Sequence, residues 1–312
     1  MIPLKEVVQV LLGDETIKES WQYIIINYRI PKAIVAVLVG AGLGVSGLLM
    51  QTLFRNPLAG PYVLGLSSGA SLGVAIIILG ASLFGGVLGQ FLVTKWSLII
   101  ASSAGSFLVL LAVVIVSSRV KDTMAILIIG LMFASVTAAL VSVLSYFSTA
   151  EELQRYIFWS FGSLGNLTWN ELTILFAALV IGIGLTIYSI KSLNILLLGD
   201  NYAQSLGLNI KKHRFILILA TSVLAGSITA LVGPIAFIGL AVPHLTKLFF
   251  DTSNHRILVP AVLLSGSILL LLCDSISQLP MSEFTLPINA VTSLFGAPVV
   301  IWLLVRKKKL FV

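Results

Sequence analysis

QTLFRNPLAGPYVLGLSSGAS, residues Gln51 to Ser71, stands between two long hydrophobic runs and crowds arginine, asparagine, proline, glycine and serine into one short segment. Pro57 and Pro61 lack a backbone donor and disfavour helix at the residue before each of them, so the chain has to turn here. A turn leaves peptide groups outside any helical ladder. Inside a membrane such backbone is tolerated only where it is buried in protein or lines a watery cavity. The meaning of the stretch therefore rests on the solvent around the rest of the chain.

Composition gives that solvent. Of 312 residues, 58% are hydrophobic and 10% charged, and the mean hydropathy is +1.09. Soluble domains hold about 45–50% apolar and about 25% charged residues, so the chain reads as an all-α polytopic membrane bundle. No linker or low-complexity block divides it, and residues 1–312 read as one transmembrane domain. The single cysteine, Cys273, lies in an apolar run, which excludes a disulfide framework and a thiol metal site. The net charge of +7 does not point to nucleic acid, because the cations sit at the ends of apolar runs and form no stripe with aromatics.

A bilayer core about 30 Å thick takes about 20 helical residues. Nine runs qualify, near Ala33–Leu53, Tyr62–Leu79, Trp96–Ser117, Met124–Phe147, Leu172–Ile190, Phe215–Leu231, Pro234–Phe250, Ile257–Cys273 and Ile288–Val305. Cytoplasmic loops carry the Lys/Arg excess. One set of loops holds thirteen cations, Arg55, Arg119, Lys121, Lys191, Lys211, Lys212, Arg214, Lys247, Arg256, Arg306, Lys307, Lys308 and Lys309, against Asp122, Asp200 and Asp251. The opposite set holds six cations beside eight acids. The C-terminus and the opening stretch are therefore expected inside. Nine spans ending inside begin outside, and residues 1–28 contain neither a signal-type core nor a span. The sequence thus predicts an extracytoplasmic segment at 1–28 and a first helix lost upstream of it.

Four stretches carry a resemblance. RIPKAIVAVLVGAGLGVSGLLMQTLFRNPLAGPYVLGLSSGAS from Arg29, LLLGDNYAQSLGLNIKKHR from Leu196 to Arg214, GPIAFIGLAVPHLTKLFF from Gly233 to Phe250 and LPINAVTSLFGAPVVIWLL from Leu286 to Leu304 resemble the hallmarks of permeases of ABC importers for iron–siderophore chelates, haem and cobalamin. They occur in that family's order and cover essentially the whole chain. The resemblance implies ten helices, of which this chain starts at the second, and an inverted repeat relating roughly its first and last four. It implies a homodimer, or a pair of similar subunits, in membrane lipid, seated on two ATPase subunits and fed by an extracytoplasmic solute-binding protein. ATP and Mg belong to the ATPase, and the permease itself binds no cofactor. Iron chelates, haem and cobalamin all remain open as cargo.

The resemblance also assigns residues. The cytoplasmic gate falls on Asn56, Pro57 and Leu58 and on Thr123 in VKDTMAIL. From composition alone, the first of these loops also reads as an ordinary positive-inside turn whose serines cap a helix. Arg29 and Lys32 match the family's cations that dock the binding protein, with Lys32 where arginine is usual and Gln278 where some relatives have a further docking arginine. As residues alone they read equally as interfacial anchors. The ATPase-coupling element falls on Gly199, Asp200, Ala203, Ser205, Leu206 and Gly207 within the cytoplasmic segment 191–214. There Asp200 suits an N-cap, Gly207 a C-cap, and Ala203 with Leu206 one small apolar face; a surface helix with headgroup-binding cations is the other reading. Glu151–Phe161 resembles the short outer helix at the substrate entrance, and Asp274 reads as structural.

No G-x-x-x-x-G-K-[ST] phosphate loop is present, so the chain is expected not to be an enzyme and to rely on a separate ATPase. An ion-coupled secondary transporter is the alternative. It would place ionisable groups near the bilayer midplane, where only Asp274 comes close.

Overall fold

The computed structural model describes residues 2–13, 18–81, 93–117, 123–278 and 285–308, and among them every regular element is helical. Asp14, Glu15, Arg119, Lys121, Asp122, Glu283 and Lys309, which enter the charge count, lie outside the described residues. In chain order the helices are α1 (Leu4–Leu11), α2 (Glu19–Leu53), α3 (Leu66–Ile78), α4 (Lys95–Ser117), α5 (Thr123–Phe147), α6 (Ala150–Ser160), α7 (Trp169–Tyr188), α8 (Ile190–Leu196), α9 (Asp200–Ser205), α10 (Ile210–Val232), α11 (Ile238–Phe250), α12 (His255–Ser277) and α13 (Ile288–Lys308). Six of these are long and apolar enough to cross a membrane: α2, α4, α5, α7, α10 and α12. The other three expected spans correspond to α3, α11 and α13, whose apolar helical stretches are shorter.

The first long helix begins at Glu19, not at Ala33 as its hydropathy suggests. Its early part, WQYIIINY, is apolar enough to continue the run, and the obstacle is Pro31. That ring lacks an N–H for the carbonyl four residues back and crowds it. A π-turn over Ile25–Arg29 widens the ladder just before the proline and lets the helix pass through. Ile25 and Val10 meet there with Val7 and Trp21, which docks α1 on the start of α2.

Helix α2 is the hub of the bundle, with 78% of its apolar window buried against 11% for α5. It packs chiefly along α12 and α11. Close approach is possible because glycines meet at the crossings. A β-carbon added to Gly40 would fall on the Gly266 carbonyl, one on Gly47 on the Gly239 carbonyl, and one on Gly44 would press Val262 and Val242. Gly69 and Gly105 make the same contact between α3 and α4. Between apolar helices in lipid there is no hydrophobic drive to associate, so such small-residue contacts supply the packing. The opposite case is α5, whose exposed Ile128, Met132, Val136, Leu140 and Phe147 recur at about one helical turn and leave a continuous face for lipid or another subunit.

Two of the short helices share a device. Both α3 and α11 are 13 residues long, and each follows an irregular stretch after a long helix. Before α3, residues 54–65 double back: Pro61 lies against Gly239, and Gly239 in turn faces the Leu43 carbonyl, ten residues before the end of α2. At 1.5 Å per residue that is about 15 Å down the helix. Ala59, Gly60 and Pro61 are buried there, which meets the condition for non-helical backbone at membrane depth. Before α11, Gly233 and Phe237 take positive φ of 85° and 65° to make the corresponding turn.

Candidate functional site

Helix α2 ends in a hydrogen-bonded cap. The Asn56 N–H donates to the Gln51 carbonyl (3.2 Å) and the Arg55 N–H to that of Thr52 (3.3 Å). This double pattern needs its penultimate residue in the left-handed region, where glycine is usual; here the residue is Arg55, with φ of 45°. That conformation costs a non-glycine residue about 1–2 kcal/mol. The loop then closes on Asn56, whose Oδ1 accepts from the Leu58 N–H (2.9 Å) while its carbonyl accepts from the Ala59 N–H (3.1 Å). His244 on α11 donates through Nε2 to the Pro57 carbonyl (2.8 Å), and Gln51 donates to the Leu240 carbonyl (3.1 Å). Leu58 stays exposed at the tip. The serines that follow do not cap α3: its N-cap is Gly65 without a side-chain bond, and Ser68 instead donates to the Gly65 carbonyl. Thr123 opens α5, and its side chain lies outside the described residues.

The α9 segment lies at the same end of the bundle. Gly199, with φ of 103°, is the N-cap of α9, and Asp200 is its first helical residue and makes no cap bond. The expected Asp200 cap is thus replaced. The carboxylate turns outward, with Oδ1 accepting from Arg55 Nη2 and Oδ2 from Arg214 Nη2, each at 2.6 Å. Gly207, with φ of 80°, ends the turn as expected, with the Leu208 N–H donating to the Ala203 carbonyl. Ala203 and Leu206 do not share one environment: Ala203 is fully buried and Leu206 is 62% exposed. Ser205 bonds only the Asn201 carbonyl within α9. A buried relay lies beneath, where Asn194 Oδ1 accepts from the backbone and Nδ1 of His255, and His255 Nε2 lies 2.8 Å from Thr52 Oγ1 near the end of α2.

At the opposite end, Arg29 is exposed and Lys32 is not its companion. Lys32 Nζ turns inward to Asp274 Oδ1 (3.0 Å), and Gln278 donates to the other carboxylate oxygen. Nearby, Lys95 pairs with Glu171 (2.6 Å), which also closes a capping box with Thr168 at the start of α7. Helix α6 carries its own capping box, Thr149 with Glu152, and its Phe158 borders two open clefts. One, of about 760 Å³, is lined by Tyr23, Tyr28, Lys95, Trp159 and Trp169; the other, of about 480 Å³, by Lys32, Phe161, Asp274 and Ile288.

The structure thus joins Arg55, the residue before Asn56, Pro57 and Leu58, to Gly199 and Asp200 at the start of α9, through a carboxylate that the sequence alone suggested for a cap. It also finds three participants the sequence left unassigned or undervalued: Arg55, Arg214 and His244. Arg55 and Asp200 are 145 residues apart, and no local spacing signals such a pair. Only the oddity of an arginine at a helix end before Asn-Pro offered a hint.

A bundle of apolar helices, with a re-entrant polar turn at one end held to a short surface helix, is the architecture of a multi-pass membrane protein. The chain belongs to the FecCD transport family, whose model matches residues 1–306. It is 36% identical over 281 residues to the vitamin B12 import system permease protein BtuC of Citrobacter koseri, covering 90% of this chain and 82% of that protein. With BtuC of Klebsiella pneumoniae subsp. pneumoniae it shares 36% over 294 residues, 94% and 86% of the two chains. A solved structure assigned as a metal-chelate type ABC transporter, in an inward-facing conformation, superposes with a TM-score of 0.83 at 29% identity over 97% of this chain and 96% of that one. The permease of an ABC importer is therefore the class to which it belongs, with the ATPase a separate subunit of such systems.

Proposed function

We propose that this chain is the translocation subunit of an ABC importer for a bulky metal chelate, an iron–siderophore, haem or cobalamin. Two copies form the pathway, two ATPase subunits supply the work, and an extracytoplasmic solute-binding protein delivers the cargo. The Asn56 end, with the C-terminus, faces the cytoplasm. The single observation that carries this reading is the Arg55–Asp200 ion pair, which ties the residue just before the Asn56–Leu58 turn to the α9 segment, the kind of link that a machine driven from outside the bilayer requires. Helix α5, with an exposed apolar face from Ile128 to Phe147, supports a pathway lined where two copies meet.

In this scheme Asn56, Pro57, Leu58 and Thr123 are the cytoplasmic gate, and Gly199, Asp200, Ala203, Ser205, Leu206 and Gly207 couple to the ATPase. Arg29 offers its guanidinium to a carboxylate of the binding protein, which steers encounter and fixes register; Lys32 contributes only if such a carboxylate displaces Asp274. The secondary-transporter alternative draws no support from the buried acids, because Asp274 and Glu171 are each neutralised by a lysine at the Arg29 end. Proteoliposomes holding the chain with its ATPase and binding protein test the reading, with cyanocobalamin, haemin and a ferric hydroxamate offered in parallel. ATP-dependent uptake of one of them is the expected result. Uptake that follows an ion gradient without ATP would refute it.

A further inference from the structure

The Asp200 carboxylate holds two guanidinium groups at once, one from each side. Oδ1 takes Arg55 at the end of α2, and Oδ2 takes Arg214 in the first turns of α10. With both oxygens engaged, α9 cannot rotate or shift without dragging Arg55 or breaking a charge-assisted bond. Three local features suit that geometry. Gly199 leaves room for Arg55, whose Nη1 would lie 3.3 Å from any β-carbon at that position. Arg55 sits in a left-handed conformation with φ of 45°, and a strained backbone persists only where its surroundings hold it. Arg55 also immediately precedes Asn56, whose side chain closes the loop, so displacing one displaces the other.

We propose that Asp200 is the positioning residue that transmits movement of the α9 segment to the Asn56–Leu58 turn, with Arg55 receiving the movement and Arg214 as the fixed pivot. The inference rests on the importer reading above and adds the physical connection between its two working elements. The Arg55–Asp200 pair is partly open to solvent, with side-chain exposures of 42% and 30%, while Arg214 is mostly buried at 17%. Pairs that exposed contribute little to stability. A linkage and a structural brace therefore predict different things: losing a brace lowers stability, whereas losing a linkage changes only the coupling.

The test uses the reconstituted importer, wild type first, with the same three cargoes. No ATP-dependent uptake by the wild type would refute the importer reading, and the linkage with it. Given uptake, R55Q and D200N are each expected to lower the cargo moved per ATP hydrolysed about fivefold or more, the lower end of allosteric couplings. In R55Q, co-purification with the ATPase and the unfolding midpoint of the complex should stay at the wild-type values. The R55Q/D200N double variant should be no worse than either single one, and R55K should recover part of the loss. An unchanged transport ratio in R55Q, additive losses in the double variant, or a loss that tracks a lowered unfolding midpoint would each overturn the proposal.

Discussion

Gly239 stands where α2, α11 and the re-entrant loop meet, and replacing it with alanine tests the packing that buries that loop. The new β-carbon would lie 2.7 Å from Pro61 Cδ and 2.8 Å from the Leu43 carbonyl oxygen. Ordinary carbon–oxygen contacts begin at about 3.3 Å, so the neighbours must retreat by about half an ångström or more. Neither yields easily, since one is a proline ring and the other the backbone of a buried helix. A gap of about 0.5–1 Å forfeits a quarter to a half of the dispersion attraction across the interface, and overpacking of this kind costs about 1–3 kcal/mol. Alanine in a helix also gains about 0.5–1 kcal/mol over glycine, which masks part of that cost. Gly184 on α7 supplies the correction, because nothing lies within 4 Å of a β-carbon there. The difference between G239A and G184A, read as unfolding free energies of the detergent-solubilised protein, isolates the steric part and should be about 1–3 kcal/mol. Equal unfolding of the two variants would refute the close approach of α2, α11 and the loop.

Lys32→Met should destabilise the fold by about 2–4 kcal/mol, because it strands the nearly buried Asp274 carboxylate, and the K32M/D274N double variant should recover most of that loss in the same unfolding assay; a double variant as unstable as the single one would show that the pair does not exist. Glu171→Ala should cost about 1–2 kcal/mol through the lost capping box of α7. Glu171→Gln should stay within about 1 kcal/mol of wild type, because the amide can still cap and Lys95 is exposed enough to find water; a large loss in the glutamine variant would instead make the ion pair dominant. Leu206→Asp lies on an exposed position and should leave stability within about 0.5 kcal/mol while separating ATP hydrolysis from uptake. Full uptake by that variant would remove Leu206 from the coupling surface.

Much of the molecule is legible in one dimension because a bilayer admits few solutions. Apolar runs of spanning length are obliged to be helices, and the prolines and glycines of Gln51–Ser71 are obliged to interrupt them. Among the described residues, hydropathy alone therefore locates each long apolar helix. It misjudges where α2 begins, since a π-turn that lets a helix continue past Pro31 leaves no mark in a window average. The hallmark segments place the candidate gate and coupling residues, but their side-chain roles are less readable. Asp200 looks like a cap because a short acidic residue before a helix usually is one, and Lys32 looks like a docking cation because the resemblance places it there with Arg29.

The chain by itself determines that it lives in lipid, that it is helical, and that its polar interruption must be sheltered, since each follows from local composition and the cost of unpaired backbone. Tertiary structure alone decides which charge meets which. Arg55 finds Asp200, Lys32 turns to Asp274, and Gly47 lies against Gly239. These partners are far apart in sequence, and only the close packing of three glycine-bearing helices carries the loop, the surface helix and the buried acids into reach of one another.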